Sequence, residues 1–122
     1  MAKVLLVEDD NNLREIYAAR LEAEGYEMST AADGEEALAS AVKIVPDLII
    51  LDVLLSGGDG REICKKLKSN QETENIPVII VSAHPSAGKS IEISGADDFL
   101  EKPFEMETLL KKVSSLLKNS KN

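Results

Sequence analysis

A chain of 122 residues with 43% hydrophobic and 30% charged side chains has the composition of a soluble globular protein, and its length suits one domain built on a single helix-covered sheet. The net charge of −8 argues against direct contact with nucleic acid or an anionic membrane, since both are polyanions that select clusters of Lys and Arg. No apolar stretch approaches the roughly 20 residues of a membrane span. The start MAKVLLVEDD is too short an apolar run for a secretory signal, so a cytoplasmic location is expected. The single cysteine, Cys64, excludes an internal disulfide.

In chain order the pattern alternates strand and helix five times, with strands near 3–7, 27–31, 47–51, 77–81 and 97–100. The first strand, VLLV, leads into Glu8, Asp9 and Asp10. A helix over about 11–24 follows, with Leu13, Ile16, Tyr17 and Leu21 as its sheet-facing stripe and Gly25 as its left-handed stop. After the second strand, Asp33 to Glu36 reads as a capping box, and the helix it opens carries Ala37, Leu38, Ala41 and Val42 before Pro46 forbids continuation. The third strand, LIIL, ends at Asp52 and a Gly-rich segment. Asp59 then caps a helix to about Ser69 that turns Ile63, Cys64 and Leu67 inward, which makes Cys64 a core residue, and the polar QETEN connection is a loop. The fourth strand, VIIV, ends at Ser82. Beyond it Pro85, Ser86, Gly88 and Ser90 dilute helical propensity, so the fourth helix is expected to be short. The DFL strand precedes Lys102, and the last helix shows the cleanest amphipathic pattern, Met106, Leu109, Leu110, Val113, Leu116 and Leu117, fraying after Lys118.

Runs of Val, Ile and Leu without polar alternation mark strands buried on both faces, which belong to parallel sheets covered by helices. In such sheets ligands bind outside the strand carboxyl ends, where Glu8, Asp9, Asp52, Ser82 and Lys102 should therefore converge. Asp52 is the nucleophile candidate, because a carboxylate oxygen can accept a phosphoryl group as an acyl phosphate once a cation offsets the repulsion. Glu8 and Asp9 supply oxygen ligands without a His/Cys set, which suits Mg2+ or Mn2+. Asp10 reads as a helix cap. Ser82 and Lys102 can bind phosphoryl oxygens, although a serine ending a strand and a lysine before a proline are each ordinary turn residues. Pro103 is a candidate cis proline. The sole histidine, His84, reads as a solvated rim residue.

These residues fall in four ordered motifs: Glu8-Asp9 after the first strand, PDLIILDVLLSGGDG around Asp52, PVIIVSA ending in Ser82-Ala83, and GADDFLEKPF containing Lys102-Pro103. Over nearly its whole length the chain resembles the receiver domain of two-component response regulators. The resemblance implies a flavodoxin-like (βα)5 α/β fold, doubly wound, with a five-stranded parallel sheet of order 2-1-3-4-5 and helices on both faces, spanning 1–122 as a single receiver domain without an output domain. It implies that a histidine kinase or histidine phosphotransfer protein donates phosphate to Asp52. Mg2+ would be held by Asp9, Asp52 and the backbone carbonyl of Leu54, with Glu8 acting through water. Ser82 and Lys102 would bind the phosphoryl oxygens, and an inward move of Ser82 would let Phe99 rotate, reshaping the face of the fourth helix, fifth strand and fifth helix toward a downstream protein target or a phosphorylation-dependent dimer. Such a domain catalyses its own phosphoryl transfer and dephosphorylation without being a turnover enzyme.

Two departures from the family pattern stand out. Ser56 replaces the usual proline, loosening the loop after Asp52, and the stretch from Ser82 to Lys102 is short, which makes the output face unusual. Three other readings fit less well. A phosphate-independent receiver-like binding module would be favoured by loss of Asp52, Asp9 or Lys102, and none is lost. A phosphatase with an aspartyl intermediate would want an acid/base at the position of Leu54. A nucleotide or flavin binder would want a Gly-rich or hydroxyl-rich loop where EDDNNL offers acids that repel phosphate.

Overall fold

Apolar strands that must hide both faces need helices above and below, and the chain supplies them in alternation. The computed structural model describes residues 1–55, 58–83 and 94–120, with Asn119 and Ser120 described by backbone alone. Ser56, His84 and the span of the predicted fourth helix through Ile93 lie outside the described residues. Five parallel strands, β1 (Lys3–Val7), β2 (Glu27–Ala31), β3 (Leu48–Asp52), β6 (Val78–Ser82) and β7 (Asp98–Glu101), form one sheet of order β2-β1-β3-β6-β7. Two short strands between them, β4 (Leu54–Leu55) and β5 (Gly58–Asp59), pair antiparallel as a separate ribbon. Apart from that ribbon the order is the expected 2-1-3-4-5.

Alternation along each strand divides the core into two layers. Leu5, Val7, Ile49, Leu51, Val78 and Ile80 meet α2 (Gly34–Ile44) and α3 (Gly60–Lys68) through Ala37, Ala41, Ile63, Cys64 and Leu67. Val4, Leu6, Leu48, Ile50, Ile79 and Val81 meet α1 (Asn11–Ala23) and α4 (Met106–Ser120) through Leu21, Leu109, Val113 and Leu117. Cys64 is fully buried, as its place on the periodic face of α3 predicts. Burial also pushes its thiol pKa up, against a smaller opposing effect from its hydrogen bond with Ser94.

The helix ends follow local chemistry. The side chains of Asp10, Asp33 and Asp59 accept from the backbone N–H of Leu13, Glu36 and Arg61 respectively, satisfying donors the helices leave free. The Glu36 carboxylate reaches back to the N–H of Ala32 rather than Asp33, a capping box displaced by one residue. Gly25 stops α1 with φ +98°. At the amino end of β6, the Lys68 ammonium donates to the Ile76 carbonyl and pairs with Asp97, both at 2.8 Å, and the same Asp97 oxygen accepts from Val78 N–H.

Several expectations change. Strands β3, β6 and β7 each run one residue further than their patterns suggest, so Asp52 and Ser82 are the last paired residues of their strands rather than the first beyond them. Ile16 is 54% exposed and Val42 40% exposed. Leu13, Tyr17 and Leu21 lie four residues apart on one side of α1, and a one-residue step of about 100° turns Ile16 off it. In α2 the inward side is held by Ala37 and Ala41, and Val42 is turned away by the same step. Helix α4 continues to Ser120, two residues past the expected end, because neither Gly nor Pro interrupts it. Among the described residues no helix is long and apolar enough to cross a membrane.

Val45, which caps α2, has φ 49° and ψ 68°, a left-handed conformation that costs an L residue about 1–2 kcal/mol and a β-branched one more. Its side chain is 51% exposed, so little burial offsets that strain. Replacing Val45 with Asn, which tolerates this region, is expected to raise stability by about 1 kcal/mol in denaturant titrations, whereas Val45→Ile should give no gain.

Candidate functional site

Parallel pairing in register sets the carboxyl ends of the strands side by side. Val7 stands opposite Leu51, Asp52 opposite Val81, and Ser82 opposite Glu101. The next residues out are Glu8 and Asp9 after β1 and Lys102 after β7. Backbone bonds prolong the ladder there, from Glu8 N–H to the Ala31 carbonyl at 3.1 Å and from Lys102 N–H to the Ser82 carbonyl at 2.7 Å. The Lys102-Pro103 peptide is cis, as the sequence suggests.

Carboxylate oxygens of Glu8, Asp9 and Asp52 lie within 4.8 Å of one another. Glu8 and Asp52 are buried, and Asp9 is the most open of the three. The Lys102 ammonium sits 2.9 Å from Asp52 Oδ2 and 3.7 Å from Glu8 Oε1, while Asp52 Oδ1 accepts from Leu54 N–H at 3.2 Å. Like charges about 4 Å apart repel by about 4 kcal/mol at an effective dielectric of 20, and one ammonium cannot neutralise three carboxylates. Glu8 carries the consequence. Burial is the main cause that lifts its pKa to about 7, with the nearby Asp52 charge adding and the Asp10 N–H and Lys102 opposing. For Lys102, burial acts to lower the pKa, yet the hydrogen bond and charge of Asp52, with Glu8, hold it above the usual lysine value. Such a cluster of oxygens, with no nitrogen or sulfur ligand in it, fits a hard divalent cation.

Of the remaining predicted residues, Ser82 is buried at the end of β6, one position past the partner of Asp52. Phe99 stands opposite Ile80, two positions short of the carboxyl end, with its side chain 42% exposed. The structure thus brings Glu8, Asp9, Asp52 and Lys102 into one cluster and sets Phe99 apart from it.

Three features escape a reading of the sequence. The β4–β5 ribbon folds back until Gly60 N–H donates to the Val53 carbonyl at 2.7 Å, and a Cβ on Gly60 would overlap the Asp52 carbonyl oxygen. Only glycine permits that closure. Beneath the cluster a void of ≈ 10 Å³, about the space of one water, lies between Glu8, Asp52, Tyr17 and Phe104, the two rings standing 5.7 Å apart. Arg14 bonds to the backbone of the acidic loop itself. Tyr17 was legible as a helix-stripe residue, but nothing in its spacing signals that it reaches the acids.

Comparison with known proteins agrees with this architecture. The family model for the response regulator receiver domain matches residues 4–114. The chain is 45% identical over 118 residues to the response regulator PleD of Caulobacter vibrioides, covering 94% of this chain and 26% of PleD. It spans about half the length of other curated relatives that it matches. Among solved structures, the chemotaxis response regulator CheY4 of Vibrio cholerae superposes with a TM-score of 0.88 at 38% identity, covering 95% of this chain and 98% of that one. The response regulator TrrA of Thermotoga maritima, solved in complex with Mg2+-BeF, gives a TM-score of 0.87 at 32% identity, covering 95% of this chain and 99% of that one. The parallel sheet, the acids and lysine gathered at its carboxyl edge and these matches together make one conclusion: the chain belongs to the response regulator receiver domain family.

Proposed function

We propose that this chain is a phosphorylatable receiver in which Asp52 accepts a phosphoryl group from a histidine kinase or histidine phosphotransfer protein in a reaction that needs Mg2+ or Mn2+. The observation that carries the reading is the 2.9 Å pair of Lys102 with Asp52 beside Glu8 and Asp9. An Asp52 oxygen attacks phosphorus, the bond from phosphorus to the donor imidazole nitrogen breaks, and the imidazole leaves with its electron pair and takes up a proton. The product is an acyl phosphate, later cleaved by water to restore the carboxylate. When bound, the cation supplies positive charge against the phosphoryl oxygens and the surrounding acids. Asp9, Asp52 and the Leu54 carbonyl are its proposed ligands, with Glu8 acting through water. Lys102, already at the Asp52 carboxylate, is within reach of an oxygen on phosphorus attached there. Ser82, buried on the adjacent strand, is the proposed second partner of that phosphoryl.

As a switch, the phosphoryl group shifts a population only by the difference in contacts it makes in two conformations. Ser82 and Lys102 are the proposed origin of that difference, and half-exposed Phe99 its readout on β7 and α4, where a downstream protein or a second phosphorylated copy would bind. The TrrA complex with Mg2+-BeF supports the metal-dependent reading by similarity. No observation favours a phosphate-independent binding module, since every residue of the reaction is present.

Incubation with acetyl phosphate should add one labile phosphoryl group, measured by intact mass. The adduct should require Mg2+ and be absent in Asp52→Asn, and Lys102→Met should slow its formation by about 100-fold. A folded protein that acquires no adduct under conditions that phosphorylate a control receiver would sink the proposal.

The protonation of Glu8 gives a second expectation. The folded protein holds the Glu8 proton up to about pH 7, whereas its ordinary value is 4.5. Over that window the folded state binds more protons than the unfolded one, so metal-free stability attributable to Glu8 falls as pH rises, by a total on the order of 3 kcal/mol. Thermal melts across this window should show Glu8→Gln gaining on the wild type as pH rises. Mg2+ should stabilise the wild type little at the acidic end and strongly above pH 7, and Asp9→Asn should abolish that gain.

A further inference from the structure

The connection from β1 to α1 is only Glu8, Asp9 and Asp10, and it carries two of the three clustered carboxylates. Bonds to β2, to α1 and within the loop fix it. Glu8 N–H is held by β2 through the Ala31 carbonyl, the Asp10 carboxylate caps Leu13 N–H at 3.0 Å, and Glu8 Oε2 accepts from Asp10 N–H at 3.3 Å. The Glu8 carbonyl is taken by a side chain: Arg14 Nη1 donates to it at 2.8 Å, while Nη2 of the same guanidinium donates to Asn11 Oδ1 at 2.5 Å. The half-buried fork of Arg14 therefore spans the strand end and the first turn of the helix, across the loop that bears the acids.

We propose that Arg14 is a positioning residue for the divalent cation, holding the Glu8 carbonyl so that the Glu8 and Asp9 carboxylates stay gathered with Asp52. This rests on reading the acidic cluster as the cation site. A planar fork suits the task, because two parallel donors fix direction as well as distance, which the single ammonium of lysine does not. The competing expectation has the opposite sign. If Arg14 acted only through its charge, removing a cation from the loop that carries two of the carboxylates would make the site more negative and Mg2+ binding tighter. If it acts by position, removal lets carboxylates that repel one another spread, and binding weakens.

The test is Mg2+ affinity by calorimetric titration at constant ionic strength and at a pH above the Glu8 value of about 7. Arg14→Met, which keeps the aliphatic stem, should bind Mg2+ about 10-fold more weakly than the wild type, and Arg14→Lys should fall between. Acetyl phosphate labelling should slow in Arg14→Met at limiting Mg2+ and recover at saturating Mg2+, a separation that a general loss of fold would not give. Should Arg14→Met fail to fold, Asn11→Ala, which removes only the second anchor of the fork, should still weaken binding by about 2- to 3-fold. Affinity that is unchanged or tighter in the folded variant overturns the inference while leaving the cation site intact. A wild-type protein that binds no Mg2+ overturns the cation reading itself, and the role of Arg14 with it.

Discussion

Three carboxylates that share one ammonium set the terms for this molecule. Left to themselves, Glu8, Asp9 and Asp52 would move apart or into water, and the fold prevents both by rooting Glu8 and Asp9 at the end of β1 and Asp52 in the last pair of β3. Lys102 relieves part of the imbalance and Glu8 relieves more by keeping its proton to about pH 7. What remains is an affinity for positive charge that the scaffold stores rather than satisfies. A receiver has use for such a site. On the function proposed above, a dianionic phosphoryl group would approach only once the cluster is neutralised, so the proposed chemistry and its metal requirement share one electrostatic origin.

Much of this was legible because buried parallel strands speak clearly in sequence. Each of VLLV, LIIL and VIIV is an uninterrupted apolar run, and the first residues after them have nowhere to be except the carboxyl edge of a sheet. The convergence of Glu8, Asp9, Asp52 and Lys102 is therefore legible in the sequence alone. Side-chain direction was less legible. Ile16 and Val42 sit beside inward residues in a helical pattern, and a single step of rotation decides which of two neighbours is buried. The β4–β5 ribbon, of two residues a side, is too short to carry periodicity at all. Arg14 shows the other limit: a cation on an amphipathic helix looks like any solvated side chain until its partner, a main-chain carbonyl, is known.

The two layers of the core also bear on the site. Asp52 lies on the same side of β3 as Leu48 and Ile50, whose partners are α1 and α4, while Gly60, against the Asp52 carbonyl, opens α3 on the other side. The segment around Asp52 is thus gripped from both faces of the sheet. Its side chain meets the α1 side through Tyr17 and Phe104, and its backbone meets the α3 side through the closing ribbon. Changes at this residue have short paths to both.

The clamp formed by Lys68 lies at the opposite end of the sheet from the acids. It binds the Ile76 carbonyl just before β6 and Asp97 just before β7, and Asp97 in turn binds Val78. The two strands that lead to Ser82 and Lys102 are therefore pinned together at their origins. They resemble a pair of tines fixed in one handle, with the grip at the end of the sheet away from the acids. A rearrangement begun at the acidic edge would meet this grip only at the far end of β6 and β7, where the two strands are already tied to each other.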